Sequence, residues 1–257
     1  NDNYRANATF KVFLKEVSEI SRKGPQLFVS RANAGLVVYL FENEVPEIQE
    51  ASVKIVAVSR EANPPSRAVG PRTKVAVDST EKEVDPVGAC IGARGARIQQ
   101  VVNELRGEKI DVIKWSPDPI QYILNSLSPA KVDLVRLVDP EGQHAHVLVP
   151  PDQLSLAIGR EGQNVRLAAR LTGWKIDVKN SHEYDQESED AIVAELISQR
   201  EEEENLQKEA EKRLEAEQAA RAEEDARLRE LYPLPEDDED FVDTIDEDNV
   251  SQEERTR

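Results

Sequence analysis

The sequence predicts an α/β fold of the α+β kind, in which one compact unit occurs twice between a short β segment and an acidic helical tail. Three observations carry this expectation. The string IGARGARIQQVVNELRGEKIDV (91–112) returns as IGREGQNVRLAARLTGWKIDV (158–178), and self-similarity over such a length marks two copies of one domain. The same six elements (helix, strand, strand, helix, helix, strand) can be read around each copy. The charge is also split: residues 181–257 hold 29 Asp or Glu against 9 Lys or Arg, whereas residues 1–180 hold 22 against 24 and are close to neutral.

Residues 9–17 alternate Phe10, Val12 and Leu14 with Lys11 and Lys15, a strand pattern, and turn residues 21–25 separate them from a second strand at 26–30. Two strands do not bury a core by themselves. From Ala34 the apolar residues Leu36, Val37, Leu40 and Phe41 fall at helical spacing, and the pattern stops before Pro46. Runs rich in β-branched residues come next at 53–59 and 73–77, with Asn63 to Ser66 and Gly70-Pro71 between them. Pro86 opens a short helix through Cys90, the glycine loop at 92–95 interrupts it, a second helix covers 96–105, and a strand covers 109–115.

Pro119 starts the cycle again. Ile120, Ile123, Leu124 and Leu127 mark a helix, strands at 132–138 and 145–149 flank the turn Asp139 to Gly142, and Pro151 opens the next helix. The Gly159 loop breaks it, residues 163–171 are helical, and 175–179 form a strand. From Glu189 to Leu231 the chain is built of strong helix formers without Gly or Pro up to that point, with acid-then-base pairs such as Glu209 and Arg213 at i,i+4 spacing. Its only dense apolar cluster is Ile192, Val193, Leu196 and Ile197. Pro233 and Pro235 end that helix, and the acidic segment 236–248 has the composition of a disordered end.

A Gly-x-x-Gly loop between two helices suits one task. Glycine lets the backbone approach a sugar-phosphate chain, and the following helix presents amide protons and a partial positive charge to phosphate. A lone match is weak, but here the loop recurs with its flanks. The candidate contacts in the first copy are Gly92, Ala93, Arg94, Gly95 and Arg97, with Lys109 and Lys114 on the following strand; in the second they are Gly159, Arg160, Glu161, Gly162, Gln163, Asn164 and Arg166. Glu161 puts an anion inside the second loop, which ranks the first as the stronger phosphate holder.

The element order, with the strings VDPVGACIGARGARI (84–98) and LAIGREGQNVRLAARLTGW (156–174), resembles the tandem type II KH domains of the NusA family of bacterial transcription elongation, termination and antitermination factors. The resemblance covers roughly residues 1–180. It implies that residues 1–33 are the C-terminal part of an OB-fold barrel of the ribosomal-protein-S-one type, that 34–117 and 118–180 are the two KH domains, and that 181–257 is an acidic tail. It further implies a fragment lacking an N-terminal domain, single-stranded RNA as ligand, RNA polymerase as a partner mainly through that domain, and other elongation factors as further partners. Glu161 and the long connection at 63–71 depart from the family pattern. The tail is expected either to compete with RNA for the basic groove or to serve another partner as a solvated helix.

Other chemistries find little support. There is no phosphate loop ending in Gly-Lys-Ser/Thr, no nucleophile elbow and no triad-like spacing, so a non-enzymatic protein without cofactor is expected. The rival class is an RNA-processing enzyme carrying KH and barrel modules as accessories, but the resembling enzyme, polynucleotide phosphorylase, places a single KH before its barrel. A ribosomal KH protein fits poorly with the duplication and the acidic tail. His144 and His146 share one strand face, but no third ligand is visible near them in sequence, so no metal site is expected. The single cysteine, Cys90, reads as a small buried side chain, and Trp115 and Trp174 as packing residues with base stacking the second reading. No apolar run reaches membrane-spanning length, and a cytoplasmic monomer away from membranes is expected.

Overall fold

The computed structural model of the chain describes residues 6–18, 24–66 and 68–231. Strands β1 (Phe13–Ser18) and β2 (Gln26–Ser30) form an antiparallel ribbon with Phe13 opposite Ser30. Its apolar side chains Leu14, Val17, Leu27 and Val29 stay exposed, as expected of two strands without a third. The ribbon is tied to the first repeat by the buried Arg31, which donates to the Lys11 carbonyl at 2.5 Å and to the Glu104 carbonyl at 2.8 Å.

The first repeat comprises α1 (Ala34–Glu44), α2 (Pro46–Gln49), β3 (Val53–Glu61), β4 (Arg72–Ser79), α3 (Pro86–Ile91), α4 (Ala96–Glu104) and β5 (Lys109–Lys114). The short α2 escapes the sequence pattern: Pro46 cannot donate the amide that would continue α1, yet its fixed φ starts a new turn. The sheet order is β3-β4-β5, with β3 antiparallel and β5 parallel to β4. Leu36, Val37, Leu40 and Phe41 of α1 meet Val75, Val77, Cys90 and Val101 in one core, and burying each large side chain contributes roughly 1.5–3 kcal/mol. Below β5, the buried Glu108 accepts a bidentate pair from Arg60 at 2.9 and 2.8 Å, and the Thr73 hydroxyl donates to it as well.

The second repeat comprises α5 (Pro119–Ser126), β6 (Leu134–Asp139), β7 (His144–Val149), α6 (Pro151–Ile158), α7 (Gln163–Thr172) and β8 (Lys175–Asn180), with sheet order β6-β7-β8 and the same strand directions. Ala145, Val147 and Val149 face the helices, together with Ile123, Leu127 and Ala168. The two repeats pack directly on each other. Ala76 and Ile113 of the first sheet meet Tyr122 and Leu171 of the second repeat, and the Tyr122 hydroxyl donates to the Leu171 carbonyl at 3.0 Å. Lys74, fully buried, reaches Asp111 at 3.3 Å and donates to the Ser128 carbonyl at 2.9 Å.

The tail helix α8 (Gln186–Leu231) begins three residues before the sequence pattern suggests. Its start is anchored: Val193 is buried, and Arg136 of β6 pairs with Asp190 at 2.8 Å while donating to the Tyr184 hydroxyl at 3.0 Å. Residues 198–231 are a separate unit, a helix whose Leu206 and Leu214 are exposed. The acidic segment expected at 236–248 lies outside the described residues. No described helix is long and apolar enough to cross a membrane.

Candidate nucleic-acid interface

The two glycine loops share one backbone. Gly92 sits at φ 73°, ψ 173° and Gly159 at 75°, 172°; Arg94 and Glu161 both take left-handed φ values, 54° and 50°. The first glycine of each loop lies in a region that essentially only glycine occupies. Helices α1, α3 and α5 are capped at their N-termini by Asn33, Asp85 and Asp118. By contrast, α4 and α7, which start directly after the loops, have no side-chain cap. The first amide of each instead bonds back into its loop, Ala96 to the Ala93 carbonyl and Gln163 to the Arg160 carbonyl.

Beneath each loop an anchor stands at the same offset from its first glycine. Arg97 folds under Gly92, where it donates to the Ala89 carbonyl at 2.7 Å and pairs with Glu47 at 2.8 Å. The Glu47 carboxyl is held below the usual range: its own burial opposes this, and hydrogen bonds from its backbone and from Arg97 outweigh that burial. Asn164 is buried, and its amide donates to the carbonyls of Leu127 at 3.1 Å and Ala157 at 3.0 Å. These two candidates therefore hold the loops in shape. Ala93 and Arg94 of the first loop, and Arg160 and Glu161 of the second, are exposed at the tips.

Gln163 and Arg166 are likewise turned inward, onto the first repeat. Arg166 grips Glu61 at the end of β3 with contacts of 2.6 and 3.0 Å, Gln163 donates to the Gly70 carbonyl at 2.9 Å, and Arg170 stands 3.2 Å from Glu61. The hydrogen bond from Arg166 holds the Glu61 carboxyl below the usual carboxylate range against the effect of its burial. No local pattern announces Glu61; its partners lie more than a hundred residues away in the chain. The long 63–71 connection finds its place here, because Arg160 donates to the Ala68 carbonyl at 3.3 Å.

Between this connection and the second loop lies a cleft of about 490 Å³, lined by Val69, Gly70, Lys109, Gly159 and Arg160 among others. Lys109, assigned from sequence to the first loop, thus stands beside the second. Lys114, at the far end of β5, is exposed. Arg97 is engaged by Glu47 as Arg166 is by Glu61, and Glu161, on which the ranking of the loops rests, is exposed in the second loop. Cys90 is buried, which pushes its thiol up to about 11 and makes it inert. Trp115 packs edge-on against Tyr122, and Trp174 lies against the second core. Near His144 and His146 the fold does supply a third potential ligand, Asp177 of β8.

Comparison with known proteins matches residues 31–115 to the NusA-like first KH domain and residues 119–186 to the NusA-like second KH domain. Among curated relatives, the transcription termination/antitermination protein NusA of Halalkalibacterium halodurans is 51% identical over 183 residues, 71% of this chain and 46% of that protein. Those of Bacillus subtilis and Thermus thermophilus are 49% and 51% identical over 180 and 175 residues, which are 70% and 68% of this chain and 46% and 43% of theirs. The chain spans about half the length of the curated relatives it matches.

Proposed function

The chain belongs to the NusA family of transcription termination/antitermination proteins, and from that premise we propose that its two KH domains hold one single strand of RNA during transcription. The observation that supports this most is the pair of uncapped helix N-termini behind two loops of identical backbone, each with an exposed arginine at its tip. Phosphate meets amide protons and a guanidinium there, and splayed bases turn towards the adjoining helix and strand. On this reading the contacts are 92–95 in the first domain, and Gly159, Arg160, Gly162 and Lys109 around the cleft in the second. Lys114 extends the first site along β5. Arg97, Gln163, Asn164 and Arg166 act indirectly, by fixing the loops.

The protein so read is a transcription factor that follows the nascent transcript and affects pausing, termination and antitermination, and not an enzyme. RNA polymerase is its proposed partner, and other elongation factors are further ones. The exposed apolar faces of β1 and β2 support the reading of that ribbon as part of an OB-fold barrel. Charge reversal tests the RNA site. Replacing Ala93 and Arg94 by Asp, or Arg160 by Asp together with Lys109 by Glu, should lower affinity for single-stranded RNA by about tenfold or more. The log-log salt dependence should also flatten by about 0.7 for every phosphate that is no longer neutralised. A flat salt response in the unaltered protein, or equal affinity for duplex RNA, would count against the proposal.

A further inference from the structure

The duplication provides an internal comparison that singles out the outer face of the second sheet. In the first repeat β4 and β5 pair with Lys74 opposite Asp111; in the second, β7 and β8 pair in the same register with His146 opposite Asp177. Asp111 is paired with two basic side chains of the sheet, Arg72 with contacts of 2.8 and 3.0 Å and Lys74 at 3.3 Å. At the matching places the second repeat has His144 and His146. Arginine and lysine bring their own charge to a carboxylate, whereas an imidazole becomes cationic with a proton and, when neutral, binds a metal ion.

We propose that His144, His146 and Asp177 form a binding site for a divalent transition metal ion of the zinc class. One nitrogen from each histidine and one carboxylate oxygen lie within 4.8 Å of one another, the rings are 5.3 Å apart between centroids, and His144 Nε2 is 2.6 Å from Asp177 Oδ2. Two imidazoles and a carboxylate are a zinc-type donor set that leaves one position for water. At metal-ligand distances of about 2.0–2.2 Å, tetrahedral donors stand roughly 3.3–3.5 Å apart, so the three groups need only side-chain rotation to converge. His146 is 3% exposed, while the Asp177 side chain is 44% exposed and opens the site to solvent.

The paired strands bring cations near the site, Lys175 opposite His144 as well as Arg136. Arg136 lies opposite His146, but its guanidinium is engaged by the Tyr184 hydroxyl and by Asp190. The Tyr184 ring stands edge-on to His146 with centroids 6.2 Å apart. A metal here ties β7 to β8 beneath the segment that leads into α8. The loops at 92–95 and 159–162 take no part, so metal binding and RNA binding are separable.

Zinc titrated into the full chain after removal of metals by a chelator tests the proposal. The many acidic side chains bind divalent ions through oxygen, so the readout must report nitrogen. The chain has three histidines, and the imidazole resonances provide it, with His182 as reference. One equivalent of Zn2+ should move the His144 and His146 resonances and leave that of His182 in place, and Co2+ should give the visible absorption of a tetrahedral nitrogen-containing site. Asp177→Asn and His144→Gln should each weaken binding at least tenfold while the chain stays folded by circular dichroism. Unmoved His144 and His146 resonances, a first response at His182, or unchanged affinity in both variants would overturn the site. Resonances that respond to pH but ignore zinc would do so too.

Discussion

At the first glycine of each loop a single methyl group distinguishes the two copies. A Cβ on Gly92 would meet the Arg97 side chain, with Cγ at 2.7 Å, whereas one on Gly159 would meet the Asn164 backbone nitrogen and Cβ, each at 2.8 Å. Arg97 can give way only by loosening its bonds to the Ala89 carbonyl and Glu47, whereas the backbone amide of Asn164 sits inside α7 and cannot move without the helix. Both alanine variants incur the backbone strain of a glycine-only region, about 1–3 kcal/mol. Gly159→Ala should therefore lower the melting temperature more than Gly92→Ala; the reverse order would show that the loops are not built alike. The sequence made these glycines legible, because two Gly-x-x-Gly loops stood in matching flanks. It did not show which neighbours are exposed at the loop tips and which turn inward. Arg97 and Asn164 both lie five residues past the first glycine, a position the helix turns under the loop, and only their shared offset hinted at a common structural task.

At the scale of elements, the order of helices and strands comes from periodicity and from the prolines that open α3, α5 and α6. The packing of α7 on the first sheet does not. It depends on Glu61 meeting Arg166 and Gln163, residues of ordinary surface type until the fold hides Glu61. Glu61→Gln leaves the partly exposed Arg166 without its carboxylate, a loss of about 1–3 kcal/mol, and should lower the melting temperature by several degrees. Glu161→Gln, at an exposed position, should change it little. The pH dependence has a definite sign. Because the folded-state pKa of Glu61 is lowered, its stabilisation is complete above the ordinary carboxylate pKa of about 4.3 and is lost as pH falls through the lower folded value. Acid titration monitored by unfolding should show this loss in the unaltered protein and a smaller one in Glu61→Gln. Equal acid sensitivity in both would remove Glu61 as the cause.

For the molecule as a whole, the charge split showed from composition alone that a net charge of -18 hides a near-neutral front part. That Lys109 of the first domain stands beside the second loop was beyond the sequence, since only the fold brings the two together. The central claim is that both loops hold one RNA. Each KH loop holds about four nucleotides, so a strand long enough to reach both gains from the second contact becoming intramolecular. Affinity measured against RNA length tests this most directly. The account predicts a rise of at least tenfold between about four and about ten nucleotides, and a return of the longer RNA to the shorter one's affinity when either loop carries its charge reversal. Affinity that is independent of length, or a rise that survives both loop variants, would contradict it.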